Sequence, residues 1–154
     1  MDNTVYENIG KLILLRDFTQ AELAYKSKLS RNTINQISSV KRKSNPKLST
    51  LIKVSKALDV DFPQLFICDI NVEKSFGEER ALKEYLNIFI QNIEFKIRGS
   101  NQKLLSSEPG IQESTVSELL NGNISDPNLS TLYAISTQLD IGLDFLFTRG
   151  GDLT

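Results

Sequence analysis

The chain has 154 residues, 40% of them hydrophobic and 24% charged, with a formal net charge of −1. Histidine is absent and cysteine occurs once, at Cys68, which removes Ser-His-Asp triads, histidine general bases, His-ligated metal and an internal disulfide. There is no 18-residue apolar run, Walker loop, G-x-G-x-x-G or C-x-x-C, so the expectation is no spanning helix, no cofactor and no enzyme. The opening MDNTVYEN lacks the basic and apolar regions of a secretory signal, and the single thiol fits a reducing cytoplasm.

Val5, Ile9, Leu12 and Ile13 have the spacing of an amphipathic helix that ends near Arg16-Asp17, with Phe18 buried in the connection. Thr19 followed by Glu22 reads as a capping box for a short helix, about Gln20 to Lys26, with Leu23 and Ala24 facing inward. Ser30 is the N-cap of a third helix, about Arg31 to Ser38, with Ile34 and Ile37 as its core face. VKRKSNPK is a charged loop. A fourth helix, Leu48 to Leu58, has Leu48, Leu51, Ile52, Ser55 and Leu58 on one side, and a short fifth runs from Asp61 to Phe66.

Cys68 to Gly77 reads as a linker, which divides the chain into residues 1–70 and 71–154. Beyond it, a helix of about Glu78 to Ile97 carries the stripe Leu82, Leu86, Phe89, Ile90, Ile93 and Ile97, and Arg98-Gly99-Ser100 breaks it. A capped helix to Ser107, a turn at Pro109-Gly110, and helices at Glu113 to Leu120, Asn128 to Leu139 and Leu143 to Phe147 follow, before a frayed tail.

Residues 44–66, SNPKLSTLIKVSKALDVDFPQLF, recur 81 positions later as SDPNLSTLYAISTQLDIGLDFLF, with 11 identities in 23 positions. The pattern predicts an all-α chain of two tandem five-helix units. Charge separates them. Residues 1–70 hold 11 Lys and Arg against 7 Asp and Glu, net +4, whereas residues 71–154 hold 7 against 12, net −5. A basic first half points to a polyanionic partner for that half alone.

A helix-turn-helix that enters DNA needs a small residue where its helices cross, an apolar plug in the turn and a second helix with one buried and one polar face. Ala24, Leu29, the pair Ile34/Ile37 and the set Arg31, Asn32, Asn35 and Gln36 meet those needs in turn. TQAELAYKSKLSRNTINQI, residues 19–37, resembles the helix-turn-helix of the lambdoid phage repressor and Cro group, the Xre-like regulators. The trailing NPKLSTLIKVSKALDVDFPQLF is similar to that family's fourth and fifth helices, so the resemblance covers nearly all of residues 5–66. Two features depart from the family. Lys28 stands where glycine is usual, and the loop from Ser38 to Asn45 is longer.

The resemblance implies a regulator of transcription, by family habit a repressor bound to a two-fold site on double-stranded DNA as a dimer. It places Arg31, Asn32, Asn35 and Gln36 toward base edges, where Arg suits guanine and Asn or Gln suits adenine. It places Gln20, Ser30 and Thr33 near phosphates, with Lys41, Arg42 and Lys43 flanking the groove. Taken alone, the run Lys41-Arg42-Lys43 also reads as a solvated surface, and Gln20 as part of the capping turn.

In the second unit the positions matching Arg31, Asn32 and Gln36 are Glu113, Ser114 and Glu118, although Gln102, Gly110, Ile111, Val116 and Leu119 keep the framework. Carboxylates facing phosphates are repelled. The expectation is a degenerate copy that serves self-association, packing or a protein partner. Leu82, Leu86, Phe89, Ile93, Leu143, Leu146 and Phe147 are the candidate surface for a homodimer, and an internal pseudo-dimer is the competing arrangement. A protein-interaction module of the antitoxin or anti-repressor kind, whose acidic half binds a protein, is the alternative to a DNA-binding regulator.

Overall fold

The computed structural model describes residues 3–42, 44–68, 80–99 and 113–148, and these are helical with no strand among them. The chain divides into two compact units, residues 1–79 and 80–154. The first contains α1 (Thr4–Leu15), α2 (Gln20–Ser27), α3 (Arg31–Ile37) and α4 (Leu48–Ala57). The second contains α5 (Leu82–Gly99), α6 (Glu113–Leu120), α7 (Leu129–Leu139) and α8 (Leu143–Leu146).

In the first unit the 3.6-residue spacing puts Val5, Ile9 and Leu12 of α1 at 0% exposure, together with Leu23, Ile34, Leu48, Leu51, Leu58 and Leu65. The segment expected to be a fifth α-helix is a 3-10 helix, Phe62–Phe66. Pro63 enters its first turn without an N–H to give, and the five-residue segment closes i→i+3 bonds instead. Phe62 and Phe66 pack edge to face with ring centroids 5.3 Å apart. The loop after α3 also holds a 3-10 turn, Val40–Arg42. Arg16 donates from Nε to the Leu58 carbonyl at 3.0 Å and so satisfies an orphan acceptor at the end of α4.

One polar contact ties the first helix to the last. Asn8, 6% exposed, donates from Nδ2 to the carbonyls of Leu65 and Ile67, both at 2.9 Å. The second unit repeats it. Asn92, 2% exposed, donates from Nδ2 to Leu146 at 2.8 Å and Thr148 at 2.7 Å. A primary amide carries two donor hydrogens, which matches two carbonyls left over where a helix stops. Asp59 and Asp140 correspond as well. Each sits in the left-handed region, at φ 54° and 55°, just after α4 and α7.

The second unit differs from expectation in two ways. α5 begins at Leu82 and runs to Gly99, past the break expected at Arg98. The stripe assigned to self-association is not a surface. Phe89, Ile93, Leu146 and Phe147 are 0% exposed, Leu143 is 3% and Leu86 is 8%, and Leu82 is half-buried. The Phe89 and Phe147 rings stack at 4.8 Å, and Tyr85 meets Phe147 edge-on at 6.4 Å. α8 covers α5 within the unit, so the apolar area is already removed from water. Phe18 is half-buried rather than buried, with the Lys26 ammonium 5.1 Å from its ring centroid. The linker from residue 69, the helix expected before Ser107, the Pro109-Gly110 turn and the tail from residue 149 lie outside the described residues.

Candidate nucleic-acid interface

α2 and α3 are short, and each start is fixed by a side chain. Thr19 Oγ1 accepts from the Glu22 N–H at 3.1 Å, and Ser30 Oγ from the Thr33 N–H at 3.0 Å. Each bond satisfies an otherwise orphaned donor and is worth about 1 kcal/mol. The turn between them is made at Lys28, which adopts φ 59° and ψ 32°. A residue with a Cβ is strained there, in the place where glycine would be relaxed. The turn still closes, with the Leu29 N–H on the Ala24 carbonyl at 3.1 Å. Ala24 is 7% exposed, small enough for α3 to cross α2, and Leu29 is half-buried in the turn. Lys26 pairs with Asp59 at 3.4 Å, which joins α2 to the end of α4.

α3 is two-faced. Ile34 and Ile37 are 0% and 2% exposed. Arg31, Asn32 and Gln36 are exposed, and Asn35 and Thr33 are half-buried beside them. Of the four side chains assigned to base edges, three therefore stand in solvent together and Asn35 sits at their margin. Of those assigned to phosphates, Gln20, Ser30, Lys41 and Arg42 are exposed. The hydroxyls of Ser30 and Thr33 are 2.8 Å apart and bond each other as well as forming the cap. Lys43 lies outside the described residues. Among the described residues, Arg31, Lys41 and Arg42 have no carboxylate within salt-bridge distance.

Ser44, after α3, is pinned. Ser44 Oγ donates to the Gln36 carbonyl at 3.1 Å, and the Tyr6 hydroxyl donates to the Ser44 carbonyl. Burial pushes the Tyr6 phenol above its ordinary pKa of 10.0, with the Ser44 bond acting in the opposite direction, so the hydroxyl keeps its proton. Neither Tyr6 nor Asn8 stands out as a site residue in the sequence. A polar residue inside an otherwise apolar helix stripe is the signal that could have found both.

In the second unit α6 has Leu119 at 0% exposure, while Glu118 and Ser117 are exposed. α6 stops at Gly122, φ 78°, where the Asn123 N–H reaches back to the Glu118 carbonyl at 2.8 Å. The side chains of Glu113 and Ser114 lie outside those described, as do Gln102, Gly110 and Ile111.

Among the described residues no group of His, Cys, Asp and Glu could hold a metal ion, and no helix is long and apolar enough to cross a membrane. A family model described as helix-turn-helix matches residues 9–65. It spans the chain from Ile9 in α1 to Leu65 in the 3-10 helix. Comparison with curated proteins and with solved structures returns no match. Residues 9–65 are thus similar to the helix-turn-helix family.

Proposed function

We propose that the protein is a sequence-specific regulator of transcription, a repressor, that reads double-stranded DNA with α3 and leaves the second unit out of the reading. The observation that carries this is the joint exposure of Arg31, Asn32 and Gln36 on the helix whose other face, Ile34 and Ile37, is sealed in the core. A helix with that division fits the major groove, and those side chains pair with purine edges. Exposed Lys41 and Arg42 follow at once and supply charge toward phosphates. The second unit follows the same helical plan on the strength of the sequence repeat and the shared Asn8/Asn92 contacts. Its net charge of −5 over residues 71–154 favours packing or a protein partner over a phosphate surface. A two-fold site would need two α3 helices about one duplex turn apart, roughly 34–36 Å.

Selection of duplexes from random DNA with the full chain, followed by titration across salt, tests the proposal. Arg31→Ala is expected to cost about 1–3 kcal/mol on the selected site and to relax preference at one base pair. Lys41→Ala is expected to weaken all duplexes alike and to lower the salt slope by about one. A chain that selects no sequence and shows no salt-dependent binding would overturn it.

A further inference from the structure

Lys41 and Arg42 stand in the open between Ser38 and Ser44, both of which rest on α1; Lys43 lies outside the described residues. At the near end, α1 passes so close that a Cβ on Gly10 would lie 3.2 Å from the Ser38 carbonyl oxygen. At the far end, one turn earlier on α1, Tyr6 donates its hydroxyl to the Ser44 carbonyl. Ser44 then returns its own hydroxyl to the Gln36 carbonyl on α3, at 3.1 Å. Between these anchors the 3-10 turn is closed by the Arg42 N–H on the Ser39 carbonyl at 3.3 Å. Tyr6 is 3% exposed and precedes the segment that the helix-turn-helix model matches.

Lysine and arginine lose rotamer and backbone freedom when they are held against a phosphate, and a loop fixed beforehand loses less. We propose that Tyr6 is a positioning residue for DNA: through Ser44 it fixes the basic turn Val40–Arg42 in register with α3, so that Lys41 and Arg42 meet the phosphates beside the groove that α3 reads. This rests on the DNA-reading role of α3. It assigns the register between reading helix and flanking cations to one hydroxyl on the first helix.

The test is titration of duplex DNA across potassium chloride concentrations with the full chain, its Tyr6→Phe and Lys41→Ala variants and the double variant. Tyr6→Phe removes one oxygen from a buried ring. It is expected to weaken binding on the order of 2- to 10-fold, the net worth of one hydrogen bond, and to lower the salt slope by about one. The sequence preference stays that of the unaltered chain. The two substitutions are expected to be non-additive, because a cation that is no longer held has little left to lose. Hydrogen exchange is expected to quicken at the Arg42 amide and not in α3. If Tyr6→Phe is too unstable to purify, Ser44→Ala breaks the link to Gln36 without touching the core and is expected to flatten the slope likewise. A lowered melting temperature with an unchanged slope, or strict additivity with Lys41→Ala, would leave Tyr6 a core residue and overturn the proposal. Those outcomes, with Lys41→Ala still flattening the slope, would leave DNA reading intact. Absence of salt-dependent binding by the unaltered chain would remove both.

Discussion

α3 precedes the stretch 44–66 and α6 precedes its recurrence at 125–147, and at their ends the two helices compare closely inside and differ outside. Ile37 and Leu119 are both sealed in their cores, whereas exposed Gln36 is matched by exposed Glu118. The residues that pack a helix answer to their neighbours in the fold, and those that face water answer to a partner or to nothing. A change of charge such as Gln36 to Glu118 therefore need not disturb the packing of a helix. The Asn8 and Asn92 contacts make the same point from inside, since each amide closes the end of its own unit in nearly the same way.

The strongest way to sharpen this comparison is to break the two units separately. Asn8→Ala leaves two buried carbonyls without donors, at a cost of about 1–3 kcal/mol. Hydrogen exchange is expected to show the loss at α4 amides such as Leu51, with DNA affinity falling too. Asn92→Ala is expected to cost as much at Leu132 and Ile135 in α7 and to leave DNA affinity unchanged. Equal loss of protection in both units from either substitution would show that they unfold as one, and the comparison would lose its independence.

A smaller effect separates the turns. Lys28→Gly relieves a left-handed residue for which lysine is poorly suited and is expected to stabilise the chain by about 1 kcal/mol, seen as a raised melting temperature. Asp140→Gly, at φ 55°, is expected to gain less, because aspartate visits that region more readily. A destabilised Lys28→Gly variant would mean that the lysine side chain contributes contacts outweighing its backbone strain.

Local rules carried much of the first unit. Thr19 and Ser30 are caps because a hydroxyl can reach an N–H three residues on, and Ile34 and Ile37 are buried because the helical period puts them on one face. Long-range closure was not legible. The partners of Asn8 lie 57 and 59 residues away, and nothing in the local pattern names them. The same limit explains the α5 stripe. Periodicity shows that Phe89 and Ile93 need cover, but whether α8 or another chain supplies it depends on how the unit closes. The 3-10 form of Phe62–Phe66 also escaped, since apolar spacing over five residues fits either helix.

Exchanging the corresponding residues of α3 and α6 bears most directly on the division between a reading unit and a non-reading one. One full-length variant carries Arg31→Glu, Asn32→Ser and Gln36→Glu; the other carries Glu113→Arg, Ser114→Asn and Glu118→Gln. Both are titrated with the selected duplex after their melting temperatures are compared with that of the unaltered chain. The first is expected to lose at least about 100-fold in affinity at an unchanged melting temperature, from two or more lost base contacts, and the second to keep the affinity of the unaltered chain for that site. Retained affinity in the first variant, or a comparable loss in the second, would contradict the assignment of DNA reading to α3.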